Sequence, residues 1–129
     1  TDDRYPYWIY GAQQDNTTVA IASQGRGRGI DINDWYDVGG GESGWIAPKP
    51  GDPNIVYAGS YGGHIDRNDH KLGQNRQVVA WPQNEIGQAA KDVKYRFQWN
   101  APIVISPHDP NTIYHGSQML LRSRNEGQS

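Results

Sequence analysis

An eleven-residue segment occurs twice in this chain. Pro50-Gly51-Asp52-Pro53-Asn54-Ile55-Val56-Tyr57-Ala58-Gly59-Ser60 returns as Pro107-His108-Asp109-Pro110-Asn111-Thr112-Ile113-Tyr114-His115-Gly116-Ser117, offset by 57 residues throughout and identical at seven of the eleven positions. A chain that repeats a turn and its flanks at fixed spacing builds copies of one supersecondary unit, which stack to bury their apolar faces. Asp52-Pro53-Asn54 and Asp109-Pro110-Asn111 are turn chemistry, since Pro fixes φ and the Asp and Asn side chains bond nearby backbone. Strands are expected to follow at Ile55 to Ala58 and Thr112 to His115, each with a Gly-Ser exit. Short apolar runs before each turn, Trp45-Ile46-Ala47 and Ile103-Val104-Ile105, supply a partner strand. A weaker third copy, without the turn, lies at Tyr7 to Ala12. Between the two clear copies, Arg76 to Pro82 reads as an outer strand, and Tyr95 to Trp99 alternates aromatic and polar residues as a half-buried strand does.

Composition agrees with short strands. Of 129 residues, 35% are apolar, with five Trp and eight Tyr against one Phe and one Met. That mixture favours β structure. Sixteen Gly and eight Pro leave little room for helices of ordinary length. The expected class is all-β, with antiparallel four-stranded blades of a β-propeller, about two blades in all. The approximate units are 1–44, 45–101 and an incomplete 102–129. A β-sandwich or barrel also has many short strands, but its turns have no reason to recur at constant spacing.

With 12 basic and 14 acidic residues the formal charge is −2, which gives nucleic acid no electrostatic handle. No run approaches the ~18 apolar residues of a spanning helix, so no membrane insertion is expected of this chain. Thr1-Asp2-Asp3-Arg4 does not read as the start of a signal peptide. The absence of Cys excludes disulfides, thiolate metal sites and thiol catalysis.

The last residues sharpen the expectation. Ser123-Arg124-Asn125-Glu126-Gly127-Gln128-Ser129 resembles the Asp-box of bacterial neuraminidase repeats, Ser-x-Asp-x-Gly-x-Thr/Ser-Trp, with Asn125 in place of the Asp. At the constant offset, the earlier copy at Asp66 to His70 shares only Arg67 and Asn68 with it. Together with Tyr10 to Asn16, Asp52-Pro53-Asn54 and Trp99 to Ile103, this motif resembles large bacterial propeller proteins related to sortilin and often labelled BNR-repeat glycosyl hydrolases. The resemblance implies a longer, exported protein with a seven- to ten-bladed ring or paired rings, of which this chain is a fragment or an unusual short relative. It also implies a structural role for Ser123, Asn125, Gly127 and Ser129.

Glycoside hydrolysis needs two carboxylates some 5–10 Å apart, and the loop acids Asp15 and Glu42 are the candidates. Asp15 sits in Gln-Gln-Asp-Asn at a strand end; Glu42 follows Gly39-Gly40-Gly41, a flexible loop able to present it to a cleft. The arginine triad of sialidases is not assembled, as nothing in the spacing of Arg26, Arg28 and Arg67 marks them. His64, His70, His108 and His115 match no metal signature, although Gly63-His64-Ile65-Asp66 and Asp69-His70 bring nitrogen and oxygen ligands near one another. Gly25-Arg26-Gly27-Arg28-Gly29 is read as a mobile surface loop. Trp35, Tyr36, Trp45, Tyr61 and Trp81 are expected mostly in the core between blades, with a subset at loop ends free to meet a ligand. No cofactor or metal is expected. The function expected is a non-catalytic scaffold that meets a protein partner or the remaining blades of its own ring, and the alternative is a glycoside hydrolase or binder of an extracellular glycan.

Overall fold

The computed structural model describes residues 1–27, 29–42 and 44–129. Among them are ten strands in three antiparallel sheets and, as the only helical elements, two three-residue 3-10 turns, Ile32–Asp34 and Tyr61–Gly63. Among the described residues no helix is long and apolar enough to cross a membrane. The first sheet is β1 (Trp8–Ala12), β2 (Thr18–Ala22) and β3 (Trp35–Asp37). The central sheet is β4 (Ile46–Pro48), β5 (Ile55–Gly59), β6 (Ile65–Asp69) and β7 (Gln74–Gln77), and the third is β8 (Ile103–Ile105), β9 (Ile113–Gly116) and β10 (Leu120–Ser123). Each is a simple meander.

The repeat is structural as well as sequential. In both copies the Asp carbonyl accepts an N–H three residues on, Ile55 at 3.0 Å and Thr112 at 2.9 Å. The Asp side chain accepts the Asn amide in each, 3.3 Å for Asn54 and 3.1 Å for Asn111. The strands that follow pair in the same register, Ile46 opposite Ala58 and Ile103 opposite His115. The next hairpin differs. Ser60–His64 joins β5 to β6 but only Ser117–Met119 joins β9 to β10, so Val56 faces Asn68 while Ile113 faces Ser123. In space Ser123 therefore corresponds to Asn68 and Asn125 to His70, and the match of Arg67-Asn68 with Arg124-Asn125 at constant offset does not hold. The third, weaker copy becomes β1, first in its sheet, whereas β5 and β9 are second in theirs.

β5 explains the stacking. A strand with one wet face alternates, yet all five β5 residues are buried. Val56 joins Ala20 and Val38 on one side, packed on by Trp8, Tyr10, Tyr36 and Ile46. Ile55 and Tyr57 join Ile65, Val78, Ile103, Ile105 and Ile113 on the other. The central sheet is thus sandwiched between the other two, and β4 approaches both β1 and β8.

Four expectations are corrected. Only the central sheet has four strands; the others have three. Tyr95 to Gln98 keeps its alternating burial but Trp99 is exposed, and the segment forms no strand, because the side chain of Gln118 takes the place of a partner strand. Its Oε1 accepts the Arg96 N–H at 2.6 Å, its Nε2 donates to the Lys94 carbonyl at 3.0 Å, and its own N–H donates to the Arg96 carbonyl. The outer strand lies at Gln74–Gln77, earlier than Arg76 to Pro82, since the chain leaves the ladder after Val78 donates to the Ile65 carbonyl. Nor are the tryptophans core: Trp35, Trp45 and Trp81 are 40%, 47% and 50% exposed.

A charged clamp locks the third sheet to the central one. The terminal turn holds Glu126 at φ +59, where its carboxylate meets Lys49 and, at 2.8 Å, Arg67, while its carbonyl accepts from Arg76 at 2.9 Å. Burial pushes this carboxyl up, but the Lys49 and Arg67 contacts outweigh it and hold the group below the ordinary glutamate value. A depressed carboxyl stabilises the fold above its unfolded pKa, about 4.3, and that contribution is lost as the pH falls through the folded value. Glu126→Gln is expected to lower stability by about 1–3 kcal/mol at pH 7 in a urea titration, with the gap narrowing in acid. A variant as stable as the parent at neutral pH would dismiss the clamp.

Candidate functional site

The turn after β3 places three glycines with positive φ in succession, Gly39 to Gly41. Gly40, at φ +81, lies so close to β5 that a Cβ there would sit 2.6 Å from the Cβ of Ala58. Its N–H donates to Asp66 at 3.2 Å. Thr18 Oγ1 donates to the Gly41 carbonyl at 2.8 Å and Ser60 Oγ to the Glu42 carbonyl at 3.0 Å. The segment expected to be a flexible loop is therefore tied down at consecutive residues.

Gly40 and Gly41 form one wall of a cleft of about 530 Å³. The β5–β6 connection brings Tyr61 and His64, β6 brings Asp66, the end of β7 brings Gln77, and the irregular stretch beyond brings Trp81 and Glu85. β6 alternates, so Ile65 enters the core and Asp66 turns to the cleft. His64 Nε2 lies 3.2 Å from Asp66 Oδ1 and its Nδ1 lies 2.9 Å from the Gln77 amide. The neutral imidazole accepts from Gln77 and keeps its proton toward the carboxylate. Trp81 lies under the Lys94 ammonium, 3.5 Å from the ring centroid, and Tyr61 stacks on Trp99 at 4.9 Å.

The electrostatics divide the two acids of the cleft. Asp66 is held below the ordinary carboxylate value, first by His64, with burial opposing and Asn75 and Gly40 assisting. Glu85 is pushed up by burial, against a backbone hydrogen bond from Phe97. Opposed shifts on a pair of carboxylates are the arrangement acid–base chemistry uses, but these two share only the cleft lining, and Asp66 is already engaged by His64 and Gly40. Trp81 stands half exposed beside these polar groups.

The acids singled out by sequence lie elsewhere. The Asp15 N–H donates to the Glu42 carboxylate, so the two residues are neighbours, yet Glu42 is spent on backbone and neither lines the cleft. Asp52, Pro53, Asn54, Asp109, Pro110 and Asn111 form the two β-turns described above. Ser123, Asn125, Gly127 and Ser129 form one hydrogen-bonded turn. Ser123 Oγ accepts the Gly127 N–H at 2.9 Å, and Asn125 Oδ1 accepts Ser123 Oγ–H at 2.9 Å and the Ser129 N–H at 3.0 Å. Arg67 is committed to Glu126, and Arg28 lies outside the described residues.

The four histidines go to separate places. His64 is in the cleft, and His70 stacks on Tyr36 at 3.7 Å. His108 donates its N–H to Ser106 in the repeat turn. His115 is buried against Phe97, 4.6 Å between centroids, and burial lowers its pKa to about 4. Among the described residues no group of three or more His, Asp or Glu is placed to hold a metal. Sequence reasoning passed over Glu85, which lines the cleft, and Lys94, which covers the Trp81 ring; neither carries a motif and both lie in an irregular stretch. Set against known proteins, the chain matches no protein-family model, no curated protein and no solved structure.

Asp66 raises the pKa of His64 more than burial lowers it. The energy of this pair is present below the unfolded histidine value, about 6.5, and is lost as the pH rises through the folded one. An NMR titration is expected to place the His64 midpoint above that of an ordinary exposed histidine, with Asp66→Asn returning it to or below the ordinary value. A midpoint indifferent to that substitution breaks the assignment.

Proposed function

We propose that the chain is a non-catalytic interaction module, consecutive blades of an Asp-box, sortilin-like β-propeller within a larger exported protein or assembly. The supporting observation is what the stack leaves open. β5 is covered on both faces, whereas the outer faces of the first and third sheets carry partly exposed apolar residues. Ile9, Ile21 and Trp35 stand opposite one another on β1, β2 and β3, with Ile9 44% exposed. Val104, Tyr114 and Arg122 do so across the third sheet, with Val104 51% exposed. Repeats that stack in series need such faces capped by further repeats or by a partner. The turn chemistry of Ser123 to Ser129 supports the Asp-box assignment, and the exported location rests on the family resemblance alone. Sedimentation velocity tests the reading. The parent chain is expected to self-associate as its concentration rises, and Ile9→Lys with Val104→Lys to be monomeric with little change in Tm. A parent that stays monomeric at millimolar concentration counts decisively against open stacking faces.

A glycan-directed reading is favoured by one observation, the cleft that sets Trp81 and Tyr61 beside Asp66 and Glu85. In calorimetric titration with a panel of neutral oligosaccharides, Trp81→Ala is expected to weaken binding roughly 10-fold or more, the order of one stacked ring. Glu85→Gln is expected to abolish any hydrolysis while sparing binding. No heat from any sugar with the parent chain removes this alternative.

A further inference from the structure

Antiparallel pairing uses alternate residues of each strand on each side, so the ladder shows which backbone groups of an edge strand remain open. In the third sheet Gly116 donates to Pro102 and Ser117 to Met119. Residues 112, 114 and 116 thus serve β8, and 113, 115 and 117 serve β10. On β10, Met119, Leu121 and Ser123 face β9, which leaves the N–H and C=O groups of Leu120 and Arg122 directed to the free side. In the central sheet the corresponding residues are Ile65 and Arg67. Ile65 accepts from Val78 and Arg67 pairs with Arg76, so there the same edge is filled by β7 and its extension.

Beside the free edge lies a second cavity of about 360 Å³. It is continuous with the packed interface between the central and third sheets, because Ile65, Val78 and Ile113 belong to both. Leu121 and Ser123 of β10, Val79, Ala80 and the terminal residues Gly127 to Ser129 contribute to its walls. His115 also lines it, 6% exposed and with no partner for its Nδ1. At the β1 edge of the first sheet some of the outward groups are already taken. On β1 the outward groups of Trp8 are taken by Asp2, whose N–H donates to the Trp8 carbonyl and whose carboxylate accepts the Trp8 N–H at 2.8 Å.

We propose that the free edge of β10 is a strand acceptor. Its occupant is an extended polypeptide segment running antiparallel to β10, with the chemistry of residues 74–80 of this chain: polar residues alternating outward, and inward side chains that fill the cavity, one of them bearing a hydrogen-bond donor for His115. The main chain supplies the pairing and the cavity selects the inward residues, the usual division in β-augmentation. The proposal rests on the stacked-sheet reading for the equivalence of the two sheets, but it concerns an edge, whereas that reading concerns faces.

The test uses two forms of one probe, the segment with the sequence of residues 74–82. In one form it is a free synthetic peptide; in the other it is appended to the chain after Ser129, where tethering raises its effective concentration to the millimolar range. Amide hydrogen exchange and Tm are compared with a chain carrying a Gly/Ser tail of equal length. The tethered strand is expected to slow exchange at Leu120 and Arg122 roughly 10- to 100-fold, raise Tm by several degrees and shift the His115 ring signals. Protection of the same two amides by the free peptide supports the proposal further. If neither form protects Leu120 and Arg122, or if protection appears on β3 or β7 instead, the acceptor assignment is overturned. The self-association behaviour of the parent chain is untouched by either result, so the two readings fail separately.

Discussion

The burial of β5 on both faces is the constraint around which the molecule is arranged. A strand whose side chains alternate between two dry environments needs two sheets, one for Val56 and another for Ile55 and Tyr57. Each large side chain so buried contributes roughly 1.5–3 kcal/mol relative to exposure. β5 therefore acts as the spine of the stack, and the first and third sheets stand where they do because each covers one of its faces. The close approach of Gly40 to Ala58 belongs to the same arrangement, since the link from the first sheet must pass over β5 with no side chain between.

Polar interactions fix the angle of this apolar stack. Glu126 projects from the terminal turn of the third sheet to reach three residues of the central sheet, Lys49, Arg67 and Arg76. Tyr57, directly beneath, is pushed up in pKa by burial and by that carboxylate. Gly127 reinforces the docking, because a Cβ on it would lie 2.7 Å from the Cβ of Val78. One short turn thus joins two sheets by charge and by backbone proximity together.

Much of the architecture was legible from local chemistry. The Asp-Pro-Asn turns and the strands on either side follow from residues within a dozen positions, and the copies found in sequence pair in the same register. What was not legible depends on partners remote in the chain. Tyr95 to Phe97 has the alternation of a strand but no strand beside it, and Gln118, 22 residues on, supplies the hydrogen bonds instead. Asp15 and Glu42 read as loop acids free for chemistry, and their contact with each other spends one of them on backbone. The cleft draws on three separate segments, two of them irregular, so neither periodicity nor a motif announces Glu85 or Lys94. The exposed tryptophans misled for a related reason: bulk and apolarity argue for a core, but the three sheets leave these rings at their margins.

The two copies of the repeat differ by two residues in one hairpin, five in the first and three in the second. Because a strand presents alternate residues to alternate sides, such a change slides β10 along β9 by whole periods and leaves Leu121 and Ser123 facing inward as Ile103 and Ile105 do. A change of one residue would turn that strand inside out, sending Leu121 to solvent and Arg122 toward Tyr57. Length variation at this hairpin is thus admissible by parity: even steps preserve the inside of the sheet, and odd steps must be absorbed by a bulge.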